Sequence, residues 1–188
     1  DCLMEAKKLG WKDAKGLEVA EYAYKFAKER GLDVKLGTLG EETFKKNSFD
    51  VVTYQDVIEH VDKPTEELKK ARRVLKPGGV VFLVTPDVGG WWEKLLGKWW
   101  YHYKPGEHIM YFSQKSLTKA LEEAGFKNIE TRKTYHVLSL EYVLNRLKYY
   151  SPFVFESLLR LINNTPIKDW SFRAYTGEIE AWGQKPEK

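Results

Sequence analysis

The sequence predicts an α/β fold built on a doubly wound sheet, and three neighbouring stretches carry that prediction. Phe49 to Tyr54 is an apolar strand that ends on a polar edge, Gln55-Asp56. A helical stripe of Leu68, Ala71, Val74 and Leu75 follows, and Lys76-Pro77-Gly78-Gly79 then turns the chain into Val80-Val81-Phe82-Leu83-Val84. Strand, helix and strand in that order make a βαβ crossover. The second run shows no polar alternation, so both of its faces are expected to be covered, as in a parallel sheet flanked by helices.

The other elements follow in chain order. Leu3, Ala6 and Leu9 stand at helical spacing within Asp1 to Leu9, and Gly10 stands where a helix stops. Ala14 to Glu18 reads as a strand, and Ala20, Ala23, Phe26 and Ala27 mark a helix closed by Gly31. Val34 to Leu36 is strand again, and Gly37 to Gly40 is a turn. Ile58 to Val61 reads as a short helix. The crossover helix starts at Pro64, where a missing N–H costs nothing, and Glu66 and Glu67 suit the positive end of its dipole. Gly78-Gly79 precedes a strand rather than a helix, so it reads as a plain turn and not as a phosphate cradle. Ser113 to Ala124 is a helix with Ser113 as N-cap and Gly125 as its stop. Asn128 to His136 has strand character, Leu138 to Ile162 is an aromatic helical stretch, and Ser171 to Gln184 is the last strand.

Size and charge narrow the function classes. A chain of 188 residues, 43% hydrophobic, fits one domain (residues 1–188) with a sizeable core and no linker or repeat. The net charge of +4 arises from 31 basic and 27 acidic residues that are interspersed, so no nucleic-acid footprint stands out. One cysteine, Cys2, cannot form an internal disulfide and suits a reducing, cytoplasmic setting. No apolar run of about 18 residues is present, and no signal peptide is visible.

Phe49 to Val61, with Lys63-Pro64 and the Leu75-Lys76-Pro77-Gly78-Gly79 turn, resembles the middle of a class I S-adenosylmethionine-dependent methyltransferase. Within that class it is most similar to the small-molecule O-methyltransferases of quinone biosynthesis. The resemblance implies a Rossmann-like, mostly parallel sheet whose last strand, Ser171 to Gln184, runs antiparallel beside the preceding one. It also implies a central first strand, between the second and fourth, followed by a turn of the form Asp-x-Gly-x-Gly-x-Gly. Nothing here matches that turn, and the chain opens on what looks like the helix after it. The sequence therefore reads as a fragment with the central first strand missing. With two strand edges left open, it is expected to be poorly stable alone and to bind cofactor weakly.

In open α/β sheets the ligand crevice lies beyond the carboxyl ends of the strands, so residues that follow each strand are the site candidates. Glu18 closes the second strand of the family pattern, where one carboxylate can accept hydrogen bonds from both ribose hydroxyls. The resemblance makes the same assignment, with Leu17 and Val19 flanking the adenine. A solvated carboxylate at a helix start is the plainer alternative. Thr38 and Leu39 follow the next strand, where the family often has an acidic residue on the adenine amino group; a threonine hydroxyl would accept that bond more weakly. Gln55 is expected on the methionine part of the cofactor. Asp56 either joins it there or caps the short helix that follows.

His60 is the sharpest catalytic candidate, because an imidazole titrates near neutral pH and can take a hydroxyl proton, with Glu59 beside it to steer it. By resemblance the Glu-His pair lies at the substrate mouth, and His108 in Glu107-His108-Ile109-Met110-Tyr111-Phe112-Ser113 fits a family motif as the second candidate. Packing under the crossover helix is the alternative for His60. His102, Glu107 and His108 lack the spacing of helical metal ligands, so no metal site is expected. Two aromatic insertions, at about 89–111 and 138–170, suit a lid over a small apolar or aromatic acceptor. Trp and Tyr beside Lys94, Lys98 and Lys104 also suit peripheral membrane contact, while extra core or a dimer face is the structural alternative.

The sequence thus predicts a methyltransferase that uses S-adenosyl-L-methionine, most simply at an oxygen of a small acceptor, with nitrogen and carbon open. Its rivals are a catalytically silent methyltransferase-like binding module and, more remotely, a nicotinamide-dependent dehydrogenase.

Overall fold

The computed structural model describes residues 2–188. The first-helix reading included Asp1, which lies outside the described residues. The chain opens with α1 (Cys2–Lys8), β1 (Gly16–Glu18), α2 (Glu21–Glu29) and β2 (Val34–Leu36). β3 (Phe49–Gln55), α3 (Pro64–Val74) and β4 (Leu75–Pro86) form the crossover. α4 (Trp91–Leu96), α5 (Gln114–Glu123), β5 (Lys127–Ser139), α6 (Leu140–Leu147), α7 (Pro152–Ile162) and β6 (Ser171–Gln184) complete the order.

Local chemistry explains most of these limits. Gly10, Gly31 and Gly125 follow their helices with φ of 87°, 68° and 86°, the left-handed region that glycine enters without a Cβ penalty. Ser113 accepts a hydrogen bond from the Ser116 N–H, and the Ser116 hydroxyl accepts one from the Ser113 N–H, so a reciprocal box fixes the start of α5. The expected helix over 138–162 is two helices. Pro152 lacks an N–H and disfavours helix in the residue before it, so the chain breaks at Tyr149–Ser151 and restarts with Pro152 in the first turn of α7.

The strands lie in two pieces. β1 and β2 pair in parallel through Gly16↔Val34 and Glu18↔Leu36. The other four take the order β3-β4-β6-β5, with β3 parallel to β4 and β6 antiparallel to both β4 and β5. The α/β class, the parallel crossover and the antiparallel last strand are as expected. No ladder joins β1 to β3 among the described residues, and this is the position at which the resemblance places one further strand.

The main core lies under one face of the larger sheet. Leu68, Ala71 and Val74 of α3 and Leu117 and Leu121 of α5 pack on Val81, Leu83, Ile179 and Ala181. Burial of each Leu, Val or Ile among them contributes about 1.5–3 kcal/mol. The expectation that Val80 to Val84 is covered on both faces needs correction. Val81 and Leu83 are fully buried, whereas Val80, Phe82 and Val84 are half-buried. On their side of the sheet β6 contributes Glu178, Glu180 and Trp182, so that face is part polar and part aromatic.

Candidate functional site

The carboxyl ends of β3 and β4 lie beside the middle of β6. Gln55 ends β3 opposite Val84 and is exposed. Asp56 follows with φ 51°, a left-handed conformation that Asp tolerates better than most residues, and its N–H donates to the Val84 carbonyl at 3.0 Å. That sharp turn throws the chain into a single 3-10 turn, Ile58–His60. The residue flanking this turn is Val57 and no side chain caps it, so the capping alternative for Asp56 does not hold.

The Glu59 carboxylate bonds to Thr85, with no hydrogen bond to His60 among the described residues. Glu59 is 1% exposed, and its Oε2 accepts from the Thr85 hydroxyl at 2.9 Å. Its carbonyl accepts from the N–H groups of both Ile109 and Met110 at 2.9 Å, pinning the 105–112 segment to the loop after β3. Burial pushes the Glu59 carboxyl up from the ordinary glutamate range, and Oε1 has no partner among the described residues. His60 is exposed rather than packed under α3. Its Nδ1 lies 2.6 Å from the Glu107 carbonyl. A carbonyl only accepts, so the hydrogen is assigned to Nδ1 and the lone pair to Nε2.

His108 meets the His60 ring edge to face at 4.9 Å, and its own Nδ1 is buried without a partner. Burial first, then the charge of His60, holds its pKa below the ordinary imidazole value. Ligand atoms of Glu59, His60 and His108 lie within 4.8 Å of one another, and one carboxylate with two imidazoles is a donor set that divalent transition ions accept. Helical spacing could not have revealed this trio, because His108 arrives from a distant segment.

Just after β4, Asp87 is buried, accepting from the Tyr175 hydroxyl at 2.9 Å and from the Gly89 N–H at 2.8 Å. Burial, and then Asp87, push the Tyr175 phenol up. Glu178 lies 2.6 Å from His136 Nε2 and 3.8 Å from His102 Nε2. Burial brings His102 down to about 4, while burial and the charge of Asp56 raise Glu178. All four histidines of the chain thus gather here. Thr85 and Asp87 both follow the apolar run of β4, the strand-end position that could have marked them in the sequence. His102, His136 and Glu178 gave no local signal.

At the smaller sheet, Glu18 ends β1 with Oε1 accepting from the Ala20 N–H at 2.9 Å, and its carbonyl accepts from the Gly37 N–H at 2.8 Å. Its second carboxylate oxygen has no hydrogen bond among the described residues and is free for a ligand. Val19 is exposed and Leu17 is half-buried against the core. Thr38 is exposed, with its carbonyl accepting from the Thr43 hydroxyl at 3.2 Å. Leu39 turns its side chain into the core, which leaves only its main chain for an adenine contact.

The aromatic segments meet one another and β6. Trp92 donates its indole N–H to the Tyr175 carbonyl at 2.7 Å, Trp91 stacks on Trp92 at 3.9 Å, and the Tyr150 hydroxyl donates to the Trp99 carbonyl at 2.8 Å. Arg146 of α6 donates to the Tyr101 hydroxyl. A cavity of about 250 Å³ lies among Trp99, Tyr101, Tyr103, Lys104, Glu107 and Tyr149.

Comparison with known proteins identifies the scaffold. The profile of a family described as methyltransferase domain matches residues 5–131, more than half of the chain. The chain belongs to that methyltransferase family. A ubiquinone biosynthesis O-methyltransferase of Klebsiella pneumoniae is 30% identical over 138 residues, covering 68% of this chain and 54% of its own length. An uncharacterised protein of Methanocaldococcus jannaschii is 28% identical over 123 residues, covering 63% and 58%. The chain therefore spans a little over half the length of the curated relatives it matches. Among solved structures, an S-adenosylmethionine-dependent methyltransferase of Archaeoglobus fulgidus superposes with a TM-score of 0.64 at 16% identity, covering 97% of this chain and 80% of that one. One from Thermotoga maritima gives 0.59 at 24%, covering 96% and 75%. These structures establish a methyltransferase fold, and no described helix is long and apolar enough to cross a membrane.

Proposed function

We propose that this methyltransferase domain binds S-adenosyl-L-methionine between the end of β1 and the loop after β3, and methylates an oxygen of a small apolar or aromatic acceptor. The observation that carries the reading is the family match across both of those segments, residues 5–131. The side chains fit the cofactor. Glu18 keeps one carboxylate oxygen free for the ribose hydroxyls, Val19 and Leu17 border the space for an adenine, and Thr38 and the Leu39 main chain lie at the next strand end. Exposed Gln55 and Asp56 supply an amide and a carboxylate for the charged methionine end.

S-adenosylmethionine supplies a methyl group on a sulfonium, which needs an acceptor held in line and water kept out. His60, with Nδ1 committed to the Glu107 carbonyl, presents Nε2 to take the hydroxyl proton. His108 braces it edge-on and borders the acceptor. The segments at about 89–111 and 138–170 act as the lid. Exposed Trp91, Leu95, Trp99, Phe153 and Leu161, flanked by Lys94, Lys98 and Arg160, dock it on a membrane surface from which an apolar acceptor is collected.

Calorimetry with S-adenosylhomocysteine on the full-length protein tests the reading. A saturable heat at micromolar ligand is expected. Silence at high micromolar ligand would remove it.

A further inference from the structure

The ladder between β5 and β6 holds a feature that the cofactor does not use. Lys133 pairs with Ile179 and Tyr135 with Tyr175, so Thr134 alone faces three residues, Thr176, Gly177 and Glu178. Gly177 has φ 93°, and a Cβ built there would come within 3.0 Å of the Trp100 indole, so the distortion needs glycine both for conformation and for space. Bulges of this sort re-aim side chains and concentrate beside active sites. Here the extra residues place Glu178, itself paired with Pro86 at the end of β4, across from the Lys133–Thr134 step. Glu178 is thereby a diagonal, same-face neighbour of His136 and reaches its Nε2 at 2.6 Å.

Three observations mark this as a polar station rather than a structural ion pair. The Glu178 side chain is only 13% exposed while that of His136 is 43% exposed, so the carboxylate is the buried partner and the imidazole is the accessible one. A carboxylate on Nε2 fixes the tautomer and leaves Nδ1 as an acceptor, and Nδ1 has no hydrogen bond among the described residues. The hydroxyls of Thr134 and Thr176, one on each strand of the bulge, are buried without a partner. Buried polar groups are seldom left unpaired, so these two call for one. Trp100 lies against Gly177, and Trp92 donates to the Tyr175 carbonyl, so both indoles border the bulge.

We propose that His136 is an acceptor-binding residue, its Nδ1 accepting a hydrogen bond from a hydroxyl of the acceptor, and that Glu178 is the residue that positions it. The bulge then selects hydroxyl-bearing acceptors over ethers or hydrocarbons of the same shape. This rests on the methyltransferase reading, because the acceptor is what the station holds.

The test uses the full-length protein labelled with 15N-histidine, phenol as the probe and anisole as its methylated control, each titrated with and without S-adenosylhomocysteine. A His136→Gln variant assigns the imidazole resonance in question. Phenol is expected to move the His136 Nδ1 resonance and anisole to leave it in place. Glu178→Gln is expected to scramble the His136 tautomer signature and to weaken phenol about tenfold, the worth of one good hydrogen bond to a fixed partner, while the circular dichroism stays native. Phenol shifts confined to His60 and His108 would overturn the proposal, as would a Glu178→Gln variant with unchanged tautomer and phenol affinity. Failure to bind S-adenosylhomocysteine would instead strike the cofactor reading, and the phenol response is scored without it.

Discussion

Glu18 carries the cofactor assignment on one free carboxylate oxygen, the other being occupied by the Ala20 N–H. A hydrogen bond to a charged group contributes about 1.5–3 kcal/mol, so Glu18→Ala should weaken S-adenosylhomocysteine by roughly 10- to 100-fold in calorimetry. Loss of less than twofold would remove Glu18 from the ribose. His60→Gln should leave that affinity intact and lower kcat by about 10²–10⁴ if Nε2 is the proton acceptor; unchanged turnover would pass the role elsewhere. His102 gives a pH signature of its own. Burial depresses its folded pKa to about 4, so the unfolded chain binds more protons below the ordinary imidazole value. Stability from this residue is present above about pH 6.5 and is lost as pH falls toward 4. Glu178 beside it is raised and works in the opposite sense, losing its contribution as pH rises through its folded value. His102→Asn should therefore narrow the gap between melting temperatures at pH 7 and pH 5, and an unaltered gap would contradict the burial argument.

At the scale of elements, sequence signals were legible wherever one residue type enforces one backbone state. Ser113 announced the start of α5, the glycines after α1, α2 and α5 announced their ends, and the last strand ran over Ser171 to Gln184 as read. Ser113→Ala should cost about 1 kcal/mol, visible as a lower melting temperature by a few degrees; no change would mean that the reciprocal box is idle. The break before α7 was within reach, since Ser151-Pro152 carries it. The β5–β6 bulge was not, because a two-residue mismatch between strands leaves no mark in either strand alone. The Glu59–Thr85 bond and the meeting of His60 with His108 were equally hidden, both being products of the tertiary turn after Asp56. The burial of the Leu39 side chain was not legible either, because an apolar residue after a strand can equally border a ligand or fill core. The apolar face of α7, with Phe153 84% exposed and Leu161 73% exposed, predicts that Phe153→Ser with Leu161→Ser lowers sedimentation with anionic vesicles several-fold without altering S-adenosylhomocysteine binding.

At the scale of the molecule, the α/β class was legible because strand and helix periodicities alternate cleanly from Val34 to Gly125, and the antiparallel pairing of the last strand with the one before it followed from the family resemblance. The division of the sheet has a physical consequence. β1 and β2 share three residue pairs, whereas β4 and β6 share seven and are backed by the main core. Hydrogen exchange should accordingly open β1–β2 at lower free energy than β4–β6, with S-adenosylhomocysteine protecting the former. Uniform protection across both pieces would contradict this.

The central claim is that one nucleoside bridges the end of β1 and the loop after β3. A crystal structure of the full-length protein with S-adenosylhomocysteine tests it most directly. The account predicts ribose hydroxyls within hydrogen-bonding distance of Glu18 and the homocysteine end beside Gln55; a nucleoside seated away from Glu18, with Gln55 facing solvent, would contradict it.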